Sequence, residues 1–294
     1  MLDAAVLAVR FLQYAGAALL FGVPLFFVYA LPAGSPAPRG SRAMVGVAAA
    51  VLAVASALAI AVQASVFAGS FADGLTGESL GAVVTYMAFG KAAMARAVAA
   101  LFALGLLLAW PRGRWRWSAV AAAGAVAAAS LGWMGHGAAS EGPLAGVHLA
   151  ADVLHVLAAC AWLGALAAFV LLARGEAGRA QLHPALRTFS ALGPALIALL
   201  VLSGLVNTWV LIGPDHIADL LLSAYGRVLL AKLVLFAAML ALAAANRYRH
   251  TRAVAEGAPL GPVRRSLAWE AALGLAVLAL VAWLGTLAPP GFGL

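Results

Sequence analysis

The stretch LAGVHLAADVLHVLAACAWLGALAAFVLLA, Leu144–Ala173, decides how this chain folds. It is long and apolar enough to cross a bilayer as a helix. It nevertheless contains three ionisable side chains, His148, Asp152 and His155. At about 100° per residue these three lie within a sector of about 40° on one helix face, and Trp162 lies near the same stripe. Ionisable groups are costly in lipid, so this face is predicted to look toward a protein interior or a wet cavity.

The composition of the whole chain places it in a membrane. Its 294 residues are 65% hydrophobic and only 10% charged, a balance that no soluble domain has. The formal net charge of +8 could suggest nucleic acid as a partner. The basic residues, however, lie mostly in short loops between apolar runs, which is the orientation signal of membrane proteins. We therefore expect a lipid bilayer, and no nucleic acid, around this chain.

Eight apolar segments have the length of a membrane span. They are Ala4–Leu31, Ala43–Phe67, Thr85–Trp110, Trp115–Met134, Leu144–Ala173, Phe189–Ile212, Tyr225–Asn246 and Ser266–Ala288. The first run is too long for a signal peptide and lacks a basic region before it, so we expect it to be retained as a helix. The pattern predicts an all-α, polytopic membrane protein with eight transmembrane helices.

The loop charges predict the orientation of these helices. The loops after the odd-numbered spans hold arginines: Arg39, Arg42, Arg112, Arg114, Arg116, Arg174, Arg179, Arg187, Arg247, Arg249, Arg252, Arg264 and Arg265. The loops after spans two, four and six hold none and carry acidic residues instead. The positive-inside rule therefore places both termini outside the cytoplasm.

Five basic residues lie within the spans themselves: Arg10, Lys91, Arg96, Arg227 and Lys232. All five fall between the outer end and the middle of their spans. We expect some of them to pair with Asp152 or to line a hydrated vestibule. Snorkelling to the outer surface is the expectation for Arg10, Lys91 and Arg227, and less so for the other two.

The two halves of the chain resemble each other. Phe89-Gly90-Lys91 corresponds to Tyr225-Gly226-Arg227, Trp133-Met134-Gly135 to Trp283-Leu284-Gly285, and Gly22 to Gly164, in the same order along the chain. Such a pattern predicts two parallel four-helix repeats, residues 1–134 and 135–294, related by an axis along the membrane normal. The alignment sets Arg10 against Asp152, and from it we expect these two side chains to form an ion pair near the axis.

The polar face of the fifth span suits an ion path. His148 and Asp152 are an i, i+4 pair, and Asp152 and His155 an i, i+3 pair, so either pair could share one ion. The two histidines are about 10 Å apart along the helix axis, which is too far for both to bind a single ion directly. The stripe therefore predicts two overlapping stations, with His155 the deeper one.

Further donors lie near this face. Met134 and His136 end the fourth span, and a thioether beside an imidazole suits copper, because soft ligands select Cu(I) and imidazole accepts either oxidation state. We predict that these two residues capture the ion at the outer face. Asn207 lies at a matching depth on span six, and Met94 on span three is a further soft candidate. Asn207, Lys232, Arg10, Arg96, Met94 and Trp162 are the predicted supporting residues.

Two other classes of protein fit parts of this pattern. A b-type haem protein needs axial histidines in a bundle, and the deep basic residues could hold the propionates. Against it, His148 and His155 are the histidines well inside spans, and both lie on one helix. A proton-coupled carrier of another substrate could use Asp152 and the histidines as a relay. No nucleotide-binding loop or nucleophile constellation is present, so no enzyme is predicted.

Several ordered motifs resemble one family. The run Asp152-x-Leu154-His155 through Trp162-Leu163-Gly164 is similar to the signature of the CopD (PcoD-type) copper resistance membrane proteins. So are Ser203-Gly204-Leu205-Val206-Asn207, Tyr225-Gly226-Arg227 with Lys232, Asn246-Arg247, and Arg264-Arg265-Ser266 with Glu270 and Leu284-Gly285-Thr286. The match is densest from Asp152 to Pro289.

The resemblance implies a bacterial inner-membrane protein of copper homeostasis. It also implies copper import as the usual activity and a periplasmic copper-binding partner of the CopC type. The sequence leaves open the oxidation state of the copper, the direction of transfer and the oligomeric state.

Overall fold

The computed structural model describes residues 2–32, 34–110, 113–135, 140, 142–174, 176–220, 222–257 and 259–290. Every regular element in these residues is a helix, and eight helices are long and apolar enough to cross a membrane. We label them α1 Asp3–Ala30, α2 Ser41–Ala68, α3 Ala88–Ala109, α4 Arg114–Met134, α5 Ala145–Ala173, α6 Ala180–Ile212, α7 Ala224–Arg249 and α8 Gly261–Leu284. The predicted all-α membrane protein with eight spans is confirmed.

Some helices extend beyond the apolar runs. The helix that contains α6 begins at Glu176 rather than at Phe189, and it continues through Pro184 and Pro194. The helix α8 begins at Gly261, with a proline in its first turn, rather than at Ser266. The apolar run marks the part of a helix that suits lipid, whereas backbone hydrogen bonding continues into the polar flanks.

The loops before α3 and α7 contain short helices. Phe71–Gly74 and Gly77–Tyr86 lie between α2 and α3, and Ile217–Leu220 lies between α6 and α7. Each loop packs on the start of the next span at a glycine. A Cβ on Gly90 would lie 2.0 Å from the Val83 carbonyl oxygen, and one on Gly226 would lie 1.7 Å from that of Leu220. Only glycine allows backbones to approach so closely.

The helices α1 and α5 form the centre of the bundle. The helix α1 packs against α2, α4, α5 and α8, and α5 packs against α1, α4, α6 and α8. Their closest approach is at Gly22 and Gly164, where a Cβ on Gly164 would lie 2.3 Å from Gly22 backbone atoms. A π-helical turn, Ala18–Gly22, precedes Pro24 in α1. The proline cannot donate a backbone hydrogen bond, which accounts for the irregular turn before it.

The two halves of the bundle differ in how their second and third helices pack. In the first half α2 and α3 pack closely along their length. In the second half α6 packs on α5 and α7 packs on α8, but α6 and α7 make no comparable contact within the residues described above. The polar face of α5 lies on this side of the bundle and is only partly covered. Asp152 and His155 are accordingly half-buried.

Candidate functional site

Asp152 lies at the junction of the two halves of the chain. Asn207 on α6 donates through its Nδ2 to Asp152 Oδ1 at 3.4 Å. On the other side, a Cβ on Gly135 would lie 3.1 Å from Asp152 Oδ2, so the end of α4 borders the carboxylate. Asn207 Oδ1 is buried and has no hydrogen-bond partner. The carboxylate and this unpaired amide oxygen are thus two acceptors on neighbouring helices.

His155 lies one turn deeper, and its tautomer follows from its neighbours. Its Nδ1 is 3.1 Å from the Leu200 carbonyl oxygen and 3.0 Å from Ser203 Oγ. The carbonyl can only accept, and the Ser203 hydroxyl donates its own hydrogen to the Leu199 carbonyl. His155 Nδ1 must therefore carry the hydrogen, which leaves the lone pair on Nε2. Metal-binding histidines in proteins are commonly held in this way by a carbonyl behind the ring.

Gly204 gives the His155 ring its space. A Cβ at position 204 would lie 3.4 Å from His155 Cε1, at the limit of ordinary contact. Residues larger than alanine would therefore push the ring out of position.

His148 lies in the first turn of α5 and is almost fully buried, with 2% of its surface exposed. Its Nδ1 is 2.6 Å from Ser140 Oγ. His148 and Asp152 are on the same face of the helix, as predicted from their spacing. The predicted capture residue His136 lies outside the described residues.

Lys232 on α7 is the cation associated with this face. It interacts electrostatically with both Asp152 and His155. It forms no ion pair with Asp152, since no nitrogen–oxygen distance between these two described residues is within 4.0 Å. Lys232 therefore balances the charge of the carboxylate across a gap rather than by direct contact.

The predicted ion pair between Arg10 and Asp152 is wrong: both residues are described, and no ion pair joins them. Arg10 donates to the Met134 carbonyl oxygen at 3.3 Å, and a Cβ on Gly285 would lie 2.0 Å from its Nη1. Arg10 instead lies between Met134 at the end of α4 and Gly285 at the end of α8, whereas Asp152 lies beside Gly135 and Asn207.

Arg96 is fully buried and is held by α4. Its Nε and Nη2 donate to Ser130 Oγ and to the Ser130 carbonyl, at 3.0 and 2.9 Å. Its Nη1 lies 3.9 Å from the thioether sulfur of Met134. The Met134 sulfur thus faces a guanidinium and is itself buried, with 6% exposure. Met94, in contrast, is exposed on the outer surface of α3.

Two tyrosines near the site had not been predicted as site residues from the sequence. Tyr14 on α1 interacts electrostatically with Arg10, Arg96 and Asp152, and Tyr225 on α7 interacts with Asp152. Tyr14 follows Arg10 by four residues, so the i, i+4 spacing on one helix face was the available signal. Tyr225 belongs to the Tyr-Gly-Arg motif of the second half.

The metal-binding capacity of this face is limited to a few donors. Within the described ranges, which omit His136, no group of three or more His, Cys, Asp or Glu side chains could hold a metal ion. An ion at this face would therefore bind at most two such side chains from the described residues. Its coordination would be completed by an amide oxygen, such as the unpaired Asn207 Oδ1, or by water.

Fold and site together define an eight-helix membrane protein with a polar, partly exposed face on its central helix. Residues 1–147 match the family model for the copper resistance protein D-like N-terminal domain, and residues 183–284 match that for copper resistance protein D. The chain belongs to the copper resistance protein D family.

Three relatives are similar to this chain over about half of its length. Copper resistance protein D of Pseudomonas syringae pv. tomato is 40% identical over 56% of this chain and 57% of its own length. Inner membrane protein YebZ of Escherichia coli (strain K12) is 30% identical over 54% of this chain and 55% of its own length. Copper transport protein CutJ of Bacillus subtilis (strain 168) is 31% identical over 53% of this chain and 28% of its own length. The chain thus spans little more than half of the first two relatives. No solved structure matches it.

Proposed function

We propose that this protein binds copper at the α5 face formed by Asp152 and His155 and passes it across the membrane toward the arginine-rich side. The observation that carries this proposal is the fixed tautomer of His155. Its Nδ1 hydrogen is held by the Leu200 carbonyl and Ser203, and its Nε2 lone pair is left for an ion. The names of the relatives, which refer to copper resistance and copper transport, support copper as the ion.

The donor chemistry favours Cu(II) at this station. An imidazole nitrogen, a carboxylate and an amide oxygen form a nitrogen–oxygen set, which suits Cu(II) better than Cu(I). His148, one turn above Asp152, is the proposed preceding station. The proposed capture of copper by Met134 and His136 requires the Met134 side chain to turn away from Arg96, because the sulfur faces that guanidinium at 3.9 Å.

The proposal is tested by copper binding to the purified, metal-free protein in detergent. Cu(II) and Cu(I) are added separately, excess metal is removed, and bound copper is measured by elemental analysis. The wild type is expected to retain stoichiometric copper. His155→Ala and Asp152→Asn each remove a donor, and we expect a loss of at least about ten-fold in affinity, as for other lost metal-site contacts.

A matched control is His183→Ala, since His183 is a half-buried histidine near the start of α6, away from this face. It should bind copper as the wild type does. Unchanged copper binding in both His155→Ala and Asp152→Asn would refute the proposed site. A Soret band in the optical spectrum of the wild type would instead favour the haem alternative.

We further propose that the protein lies in a bacterial inner membrane with both termini on the periplasmic side. The arginine-rich loops support this orientation through the positive-inside rule. The name of the relative YebZ, an inner membrane protein, supports the membrane. In Ser70→Cys the new thiol should be labelled by an impermeant reagent in intact cells, whereas in Ser118→Cys it should be labelled only after the cells are opened.

We also propose that residues 1–134 and 135–294 are parallel repeats. Three sets of contacts support this. Gly22 and Gly164, which the repeat aligns, touch each other. Gly90 and Gly226, likewise aligned, each meet the carbonyl of a preceding short helix. Arg10 borders Gly285, and Asp152 borders Gly135. The repeat aligns Arg10 with Asp152 and Gly285 with Gly135, so the two contacts are equivalent.

A separate periplasmic copper-binding protein of the CopC type is the proposed donor. The acidic side chains of the outer loops, such as Asp73, Asp215 and Asp219, are available for its docking. Copper transfer from the loaded donor should be faster than from a small chelate at the same free copper concentration. Equal rates would argue against a specific partner.

A further inference from the structure

A second polar cluster lies on α8, away from the copper face. Glu270 is 2% exposed, and its two carboxyl oxygens each accept one hydrogen bond. Trp162 Nε1 donates to Oε1 at 3.2 Å, and Asn246 Nδ2 donates to Oε2 at 2.8 Å. Two further buried atoms of the neighbourhood, Asn246 Oδ1 and Ser266 Oγ, have no hydrogen-bond partner. The function proposed above does not use this cluster. Of its residues, only Trp162 was predicted to belong to the site.

No positive charge accompanies the Glu270 carboxyl group. Within the described part of the chain it forms no ion pair. Arg264 and Arg265, on its own helix, are exposed, and Arg264 donates to the Ala173 carbonyl. On α5 the titratable residue closest in sequence to Trp162 is Cys160, which is buried. At the end of α7, Arg247 is exposed and lies over the Tyr248 ring.

The charged groups of the outer half are farther away. Lys232 precedes Asn246 on α7 by fourteen residues, about 21 Å along the helix, and Arg10 borders α8 at Gly285, about 22 Å from Glu270. A carboxylate buried with two neutral donors and no cation is costly, and binding of a cation removes that cost. The acceptors of the cluster are all oxygen atoms, those of Glu270, Asn246 and Ser266. A proton can bind to one such oxygen without the additional ligands that a metal ion needs.

The cluster is linked to the copper face through Trp162. This residue follows His155 on α5 by seven residues, about 10 Å farther along the axis. Its ring is 2% exposed and packs edge-on against Phe189 and Phe236, at 6.0 and 6.5 Å between ring centroids. The aromatic group therefore separates the level of His155 from the level of Glu270 in this conformation.

We propose that Glu270 is a proton-binding site that controls the Trp162 ring. A proton from the arginine-rich side adds to a carboxylate oxygen, which forms an O–H bond and changes the charge of the side chain from −1 to zero. The hydrogen bond from Trp162 to the neutral acid is weaker than that to the carboxylate. The Trp162 ring is then held less firmly and can move, which opens the aromatic barrier between the level of His155 and the level of Glu270. This coupling rests on the proposed copper transfer, whereas the proton site itself does not.

The proton site is tested without copper by infrared spectroscopy of the purified protein in lipid, with the glutamates labelled with ¹³C at the side-chain carboxyl. At near-neutral pH, where exposed glutamates are ionised, the wild type is expected to show the carbonyl stretch of a protonated glutamic acid, which disappears as the pH is raised further. The band should be absent from Glu270→Gln and present in Glu256→Gln. Glu256 is a matched control because it is exposed and pairs with Arg252. The proposal would be overturned if the wild type lacked this near-neutral band, if the band did not respond to pH, or if it persisted at near-neutral pH in Glu270→Gln.

The coupling is tested by copper uptake into proteoliposomes with and without a pH gradient. Wild-type uptake should change several-fold with the gradient, and Glu270→Gln should bind copper with wild-type stoichiometry but take it up independently of the gradient. Trp162→Phe, which keeps a ring without the N–H donor, should resemble Glu270→Gln. A gradient response retained in both variants would overturn the coupling. Failure of the wild type to bind copper would refute the proposed function but leave the infrared result standing.

Discussion

Replacing Gly164 by alanine tests the contact that joins the two central helices. The new Cβ would lie 2.3 Å from the Cα and carbonyl carbon of Gly22 and 2.6 Å from the nitrogen of Val23. All three are backbone atoms of α1, so no side-chain rotation relieves the clash. Ordinary contact begins at 3.4 Å. The helices α1 and α5 must therefore separate locally by roughly 1 Å, a typical consequence of overpacking.

The expected cost is about 1–3 kcal/mol, the usual range for overpacking of a well-packed interior. For a chain of this size each kcal/mol corresponds to roughly 2–4 °C, so the midpoint of thermal unfolding should fall by roughly 2–12 °C. The assay is fluorescence-detected size-exclusion chromatography after heating in detergent. Because α5 carries His155, copper binding should weaken as well.

Gly105→Ala on α3 is the matched control, since nothing lies within 4 Å of a Cβ at that position. Its stability should equal or exceed that of the wild type, because alanine favours a helix over glycine by about 1 kcal/mol. If Gly164→Ala were as stable as Gly105→Ala, the close approach of α1 and α5 would be refuted.

Three further predictions concern side chains around the site. Arg96→Ala should lower stability by about 2–4 kcal/mol, because it leaves a cavity and unpaired Ser130 acceptors, and thermal unfolding in detergent measures this. Ser203→Ala removes one acceptor behind His155 and should weaken copper binding about ten-fold in a competition titration, whereas Ser203→Thr keeps the hydroxyl and should not. Gly204→Val should displace the His155 ring and weaken copper binding as much as His155→Ala does, while Gly204→Ala should bind nearly as the wild type does. Equal binding by both would contradict the geometry around the ring.

Much of the fold could be predicted because it depends on residues that are close together in the chain. A span is a run of apolar residues, so eight helices follow from hydropathy alone. The shared face of His148, Asp152 and His155 follows from the helical period and needs no tertiary information. The short loop helices and the extension of α6 beyond its apolar run were not predicted, because hydropathy does not report on backbone hydrogen bonds in polar flanks. The irregular turn in α1 lies within an apolar run, and hydropathy does not register it because it arises from the backbone at Pro24.

The contacts of the site could be predicted only in part. The depth of Asn207 on its span placed it level with Asp152, and the structure brings the two side chains together. Depth could not show that Leu200 and Ser203 would hold His155, because that depends on the rotation of α6 about its own axis. The same limit applies to Met134, whose sulfur is directed at Arg96 by the way α3 packs on α4.

The sequence by itself determined the membrane class, the number of helices and the polar face of α5, since each depends on residues close together in the chain. Only the tertiary structure decided which side chains meet across helices. Arg10 and Asp152 were expected to pair, yet Arg10 donates to the Met134 carbonyl and Asp152 accepts from Asn207. Glu270 likewise gains its partners from residues 24 and 108 positions away, Asn246 and Trp162. Helix packing fixes such contacts, because the local pattern of a helix specifies its apolar and polar faces but not the neighbour that each face meets.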